Sequence, residues 1–283
     1  MSATSPSRPV VRVNGGPSQA LRDGLIVMWR NLKRIPRIPE LAIFAIIQSI
    51  MFVLLFAFVF GGAIILPGYE TNPNAFREYL MPGIFAQTIV FASATTAIGM
   101  ADDTHKGIID RFRSLPMARS AVLTGRTLSD VVYNGGILIV LMLSGLLVGW
   151  TVRTGILELL AGVGLLLLFA FAMSWLGVWL GLSVPTVEVA QQVGFTVLFP
   201  ITFISNVFVA TSTLPDWLQP VAEWNPTSTL TASLRELWGN PSPTTGSTSF
   251  AAQEPVVVTL GWVVLVVVVF GMLGVRKYRS MNR

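Results

Sequence analysis

The chain has 283 residues, of which 53% are hydrophobic and only 12% charged, with a mean hydropathy of +0.68 and a formal net charge of +5. That composition is too apolar for an ordinary soluble domain, so the bilayer is the expected solvent, and the basic surplus is explained by membrane topology and anionic lipid without nucleic acid. With no cysteine and one histidine, His105, the chain has neither a Cys/His nucleophile pair nor a His-rich metal set.

In hydrocarbon every backbone amide must be satisfied within its own segment or in a closed barrel, and long uncharged runs select helices. The expected fold is therefore an all-α membrane protein, a six-span helical bundle with an amphipathic N-terminal interfacial helix and a short cytoplasmic helix. Residues 1–17 are rich in Ser, Pro and Gly and read as a flexible cytoplasmic tail. No apolar core of a signal peptide appears before Leu41, so none is expected.

Residues 18–40 are expected to form the interfacial helix. Leu21, Leu25, Met28, Trp29 and Leu32 share one face, Arg22, Arg30, Lys33 and Arg34 lie elsewhere, and Pro36 and Pro39 stop it. Two roles fit such a helix, anchoring the bundle or docking a partner.

Residues 41–283 then read as one transmembrane domain. Its six spans are expected at about Leu41–Leu66, Leu80–Met100, Asp130–Trp150, Leu159–Leu182, Gln192–Ala210 and Val256–Val275, each near the roughly 20 residues that cross a bilayer. Gly61 and Gly62 are the expected break in the long first span. Seven Lys and Arg residues precede the first span, five lie between spans two and three, and four follow the last. Only Arg77, Arg153 and Arg235 fall on the other side, which puts both termini in the cytoplasm.

The polar stretch between spans two and three, "DDTHKGIIDRFRSLPMARSAVLTGR", stands out. Asp102, Asp103 and Thr104 offer N-cap chemistry for a new short helix, with Ile108, Phe112 and Leu115 as its apolar stripe and Pro116 as its end. Lys106 and Asp110 are four apart, while Arg111 and Arg113 project from other faces. Such a helix suits a groove on another protein, or it rests on its own bundle.

Within the spans, Gln48, Gln87 and Asn206, with Trp175 and Trp179 four apart on one face, mark a possible cargo path; interhelical packing is the plainer reading of each residue alone. Gln191, Gln192 and Ser205 share that character. Gly145 with Gly149, and Gly177 with Gly181, have the spacing of close helix packing. Toward the end, Pro215 is expected to open one short helix, and Asn225 with Pro226 a second that carries Leu230, Leu234 and Leu237 and ends at Gly239. Trp217 and Trp224 suit a membrane interface.

Several chemistries are disfavoured. No G-x-x-x-x-G-K-[ST] phosphate loop is present, so ATP binding of that kind is not expected on this chain. Asp130 and Glu158 lie near expected span ends, leaving little for an intramembrane proton relay. Asp102 and Asp103 are the best carboxylate pair for a membrane enzyme, but capping accounts for both.

The run "GIIDRFRSLPMARSAVLTGR", the preceding "PGIFAQTIVFASATTAIGMADD", the earlier "KRIPRIPELAIFAIIQSIMFVLLFAFVFGGAI" and the later "WLQPVAEWNPTSTLTASLRELWG" together resemble ABC-2 family permease subunits of actinobacterial daunorubicin and doxorubicin resistance exporters. The resemblance implies an ABC-2 type permease domain over residues 41–283 and a coupling role for the short helix after span two. Gly107, Ile108, Asp110, Arg111, Phe112, Arg113, Leu115 and Pro116 are then the candidate ATPase-coupling residues. It also implies a second copy of the chain, two copies of a separate ABC ATPase that holds ATP and Mg, and export of hydrophobic drugs, antibiotics or lipids. No cofactor is expected on this chain. An ATP-independent, proton-coupled multidrug carrier is the alternative, and a membrane scaffold or enzyme a more distant one.

Overall fold

A computed structural model of the protein describes residues 17–33, 39–60, 74–109, 119–242 and 249–281, and no strand occurs among them. The helices are α1 (Pro17–Leu32), α2 (Pro39–Leu54, winding into a π-helical segment Leu55–Phe60), α3 (Ala75–His105), α4 (Arg119–Val148), α5 (Ile156–Ser183), α6 (Val187–Phe203), α7 (Gln219–Trp224), α8 (Pro226–Trp238), α9 (Phe250–Gln253) and α10 (Pro255–Ser280). Four of them, α3, α4, α5 and α10, are long and apolar enough to cross a membrane. The apolar stretch 46–59 and the 17-residue α6 are shorter; at 1.5 Å per residue α6 extends about 25 Å, less than the hydrocarbon thickness of roughly 30 Å.

The ends of the bundle are fixed by contacts. Met100 on α3, Ile109, Leu123 on α4, Leu182 on α5 and Tyr278 on α10 are buried in one cluster. Residues 107–109 after α3, the first turns of α4 and the last turn of α10 thus share one end, called the loop end below. At the far end Trp150, Trp238 and Phe85 meet edge to face with centroids 5.2 to 5.9 Å apart, and Trp150 Nε1 donates to Asn240 Oδ1 at 2.9 Å. Polar indole tips therefore find partners while the rings fill the core.

Close backbone approach holds α3 on α5. A Cβ at Gly177 would overlap the Ser93 carbonyl and one at Gly181 the Ala97 carbonyl, which is the small-residue packing expected of that pair. The other pair divides its duties: a Cβ at Gly145 would lie 2.7 Å from Met81 Cε, whereas Gly149, at φ 100°, turns the chain out of α4. Lipid replaces water outside, and large apolar residues such as Phe44, Leu147, Leu157 and Val264 are exposed.

Several expectations need correction. Asp102, Asp103 and Thr104 do not cap a new helix; they lie in the last turns of α3. Helix α3 runs on past Pro82 to His105, and Gly107, at φ 63°, follows its end. The Thr104 hydroxyl bonds back to the Met100 carbonyl at 2.8 Å. Helix α4 starts eleven residues before the expected Asp130, so Asp130 lies inside a helix rather than near its end. Helix α6 stops at Phe203, short of Ala210: Pro200 lies in its last turn, and the Ser205 hydroxyl bonds locally to the Thr202 carbonyl. Gly61 and Gly62 lie outside the described residues.

Helix α1 lies parallel to the first turns of α4. Gly24 and Val27 meet Gly125, where a Cβ would be 2.6 Å from Val27 Cβ, and Asn31 Nδ2 donates to Ser129 Oγ at 3.2 Å. Leu25 and Trp29 of the expected apolar face point away from the bundle together with Ile26, while Met28 and Leu32 are half-buried.

The segment 211–242 forms the cap at the far end. Asn225 Oδ1 accepts from the Thr227 amide at 2.8 Å, Pro226 opens α8, and Gly239 closes it in the left-handed conformation, as the sequence pattern requires. Leu230 and Leu234 are fully buried. The preceding helix begins at Gln219, because Pro215 opens only a turn. Trp217 and Trp224 are exposed.

Candidate functional site

The loop end is the candidate site. Of the expected coupling residues, Gly107 and Ile108 are described, while Asp110, Arg111, Phe112, Arg113, Leu115 and Pro116 lie outside the described residues. Ile108 is half-buried; its neighbour Ile109 is the one inserted into the bundle. Lys106 Nζ pairs with Asp102 at 2.7 Å, one turn back along α3. His105 is exposed and meets the Pro185 carbonyl.

Behind this segment lies a ring of side chains that the sequence reading missed. Arg126 Nε donates to Asp130 Oδ1 at 3.2 Å, and Arg126 Nη1 to Asp103 Oδ2 at 3.3 Å. Thr96 Oγ1 closes the ring on Asp130 Oδ2 at 2.8 Å. Two members come from α3 and two from α4. The charged side chains are 18% (Arg126), 13% (Asp103) and 16% (Asp130) exposed, so the ring is largely withdrawn from solvent. Gly99 lies between Thr96 and Asp103 on the same face of α3, and a Cβ there would overlap the Arg126 guanidinium. A planar fork reaches two carboxylates through separate nitrogens, Nε and Nη1, a spread that the single ammonium of a lysine lacks. The Arg126 to Asp130 spacing of four was visible in the sequence; the partners from α3 were not.

At the far end a second arginine is buried more completely. Arg235, 1% exposed, donates from Nε to the Tyr79 carbonyl at 2.9 Å and from Nη2 to the Asn206 carbonyl at 3.0 Å. Its guanidinium lies 3.5 Å from the centroid of the Tyr79 ring, whose hydroxyl also donates to the Asn206 carbonyl at 2.7 Å. Beside it Arg153 Nη2 sits 2.8 Å from the carboxylate of buried Glu78.

The expected cargo-path residues do not converge. Gln48 is exposed on the outer side of α2, and Gln87 is buried in α3. Trp175 is buried in the loop-end cluster, edge-on to Phe171, with its indole N–H unpaired among the described residues. Trp179 lies 5.2 Å from Phe270 of α10. Asn206 is at the far end in the Arg235 socket. These side chains lie in different parts of the bundle.

A profile of the family described as "ABC-2 type transporter" matches residues 23–237. The daunorubicin resistance ABC transporter permease protein DrrB1 of Streptomyces coeruleorubidus is 31% identical over 210 residues, covering 74% of this chain and 72% of that protein. The probable doxorubicin resistance ABC transporter permease protein DrrC of Mycobacterium tuberculosis is 23% identical over 191 residues, covering 68% of this chain and 67% of its own.

Proposed function

Because the chain belongs to the ABC-2 type transporter family, we propose that it is the permease subunit of an ATP-driven exporter of hydrophobic drugs, antibiotics or lipids. The functional unit is a dimer of this chain with two copies of an ABC ATPase, which carries ATP and Mg. In this reading the chain crosses six times, by the four long helices and by α2 and α6, and the Lys and Arg distribution argues for both termini and the α3–α4 connection in the cytoplasm, where residues 107–116 meet the ATPase. What supports the reading is the family match across 23–237, which takes in the whole polar stretch 102–126.

The reading is tested by isolating the chain with its neighbouring ATPase and following daunorubicin into inside-out vesicles. ATP-dependent uptake that requires both proteins is expected. Uptake driven by a proton gradient without the ATPase would overturn it. Phe112→Ala should leave insertion intact while ATPase association and uptake fall together, since an interface anchor of this kind contributes about 2 kcal/mol or more; wild-type ATPase stoichiometry would remove the coupling assignment.

One observation favours the carrier alternative. Glu158 is exposed at the start of α5, but Asp130 is an ionisable group inside α4. Under the carrier reading, Asp130→Asn abolishes proton-driven efflux in cells that lack the ATPase.

A further inference from the structure

We infer that the Thr96–Asp130–Arg126–Asp103 ring is the positioning element that makes α3 and α4 answer a push on their connecting loop as one rigid body, with Arg126 as its central residue. The inference rests on the coupling reading proposed above and goes beyond it, because it assigns the transfer of motion to residues outside the loop.

Position is the first reason. The loop leaves α3 just past Asp103 and enters α4 one to two turns before Arg126, so the ring closes the base of the loop. A force applied to a loop joining two helices either moves both together or spreads them apart. Helix α3 packs far more extensively on α5 than on α4, so side-chain bonds must resist the spreading. The ring supplies two such bonds, Thr96 to Asp130 and Arg126 to Asp103, set seven residues apart on α3 and four on α4, and the Arg126–Asp130 bond within α4 links them.

Geometry is the second reason. Gly99 leaves space for the guanidinium to lie against the α3 backbone, so Arg126 is seated and not merely tethered. The same stretch of α4 is gripped from its other side by α1, through Gly24 on Gly125 and Asn31 on Ser129. Helices α1, α3 and α4 thus form one block directly behind the loop, the kind of packed unit that moves by rigid rotation or sliding.

Native cysteine is absent, so spin labels can be placed at Thr95→Cys on α3 and Val132→Cys on α4, both exposed positions. The distance between them is measured in the complex with the ATPase, with and without ATP and vanadate. With the ring intact the distance should not change on nucleotide addition. In Gly99→Ala, which keeps every charge, and in Arg126→Gln, it should shift or broaden by about 2–5 Å, the scale of a helix shift, with Arg126→Lys in between. The inference is overturned if the intact protein shows a nucleotide-dependent change between α3 and α4. It is equally overturned if the variants retain the ATPase yet hold the intact distance, for the ring is then only a static tie. Loss of the ATPase from the variants alone would also overturn it, since the ring would then shape the docking surface. If the unaltered chain binds no ATPase, the proposed function itself fails, an outcome distinct from all of these.

Discussion

Arg126 and Arg235 sit near opposite ends of α3 and are held in opposite ways. Arg126 answers two carboxylates and keeps some contact with solvent; Arg235 has no acid among its bonds and rests on backbone carbonyls and the face of Tyr79. An acid-paired arginine ties side chain to side chain, and its departure would leave two carboxylates short of their counter-charge. An arginine bonded to carbonyls of two other segments ties backbone to backbone, and its departure would take a donor from each at once. The difference separates the two ends of the bundle: Arg235 joins backbone segments at the far end, while Arg126 joins acidic side chains of α3 and α4 at the loop end.

The largest effect should come from Arg235→Ala. It removes a fully buried side chain and takes a donor from the carbonyls of Tyr79 and Asn206, the second of which keeps the Tyr79 hydroxyl, a loss of about 3–5 kcal/mol. Unfolding in mixed micelles is the measurement, and a loss below that of Arg126→Ala would erase the contrast. Arg126→Ala should come next, at about 2–3 kcal/mol, because it breaks two charge-assisted bonds but lets water reach Asp103 and Asp130. Its loss should depend on salt more strongly than that of Arg235→Ala, since screening acts on the charges left behind.

Each arginine also has a glycine beside its seat, which sharpens the contrast without removing charge. At Gly83 a Cβ would lie 2.9 Å from the Val207 carbonyl, a backbone atom next to the Asn206 carbonyl that Arg235 bonds. Gly83→Ala should therefore destabilise by about 1–2 kcal/mol. Gly99→Ala meets only the end of a flexible side chain and should be milder in the same assay. The smallest effect belongs to Lys106→Ala, because its pair with Asp102 is 59% and 34% exposed and contributes at most about 0.5 kcal/mol. A larger change there would show that the turn leading into the loop is more tightly bound than this pair suggests.

How much of this the sequence displayed depended on distance along the chain. Local signals were legible: Asn225, Pro226 and Gly239 bound α8 as expected, and α5 ends within a few residues of its expected limits. Hydropathy misplaced the start of α4, because Arg126 and Asp130 look like a span boundary until each is seen to neutralise the other inside a helix. The capping chemistry of Asp102, Asp103 and Thr104 was real as a propensity but was overridden by a helix already in progress, and with it went the clue that Asp103 faces α4. Arg235 counted only as one of three basic residues on the outer side. Nothing local marks it as buried, since its bonded partners are backbone carbonyls, the one kind of group that every residue carries alike.

The parallel seat of α1 on α4 has a consequence for biosynthesis. Asn31 and its partner Ser129 are 98 residues apart, so at a synthesis rate of about 5–20 residues per second roughly 5–20 s pass before the seat exists. Throughout that interval Gly24, Val27 and Asn31 have no groove to enter, while Leu25, Ile26 and Trp29 give the helix a place on the lipid surface. Helix α1 therefore waits on the lipid surface until its neighbour is made, and a nascent chain arrested before Gly125 would carry it undocked.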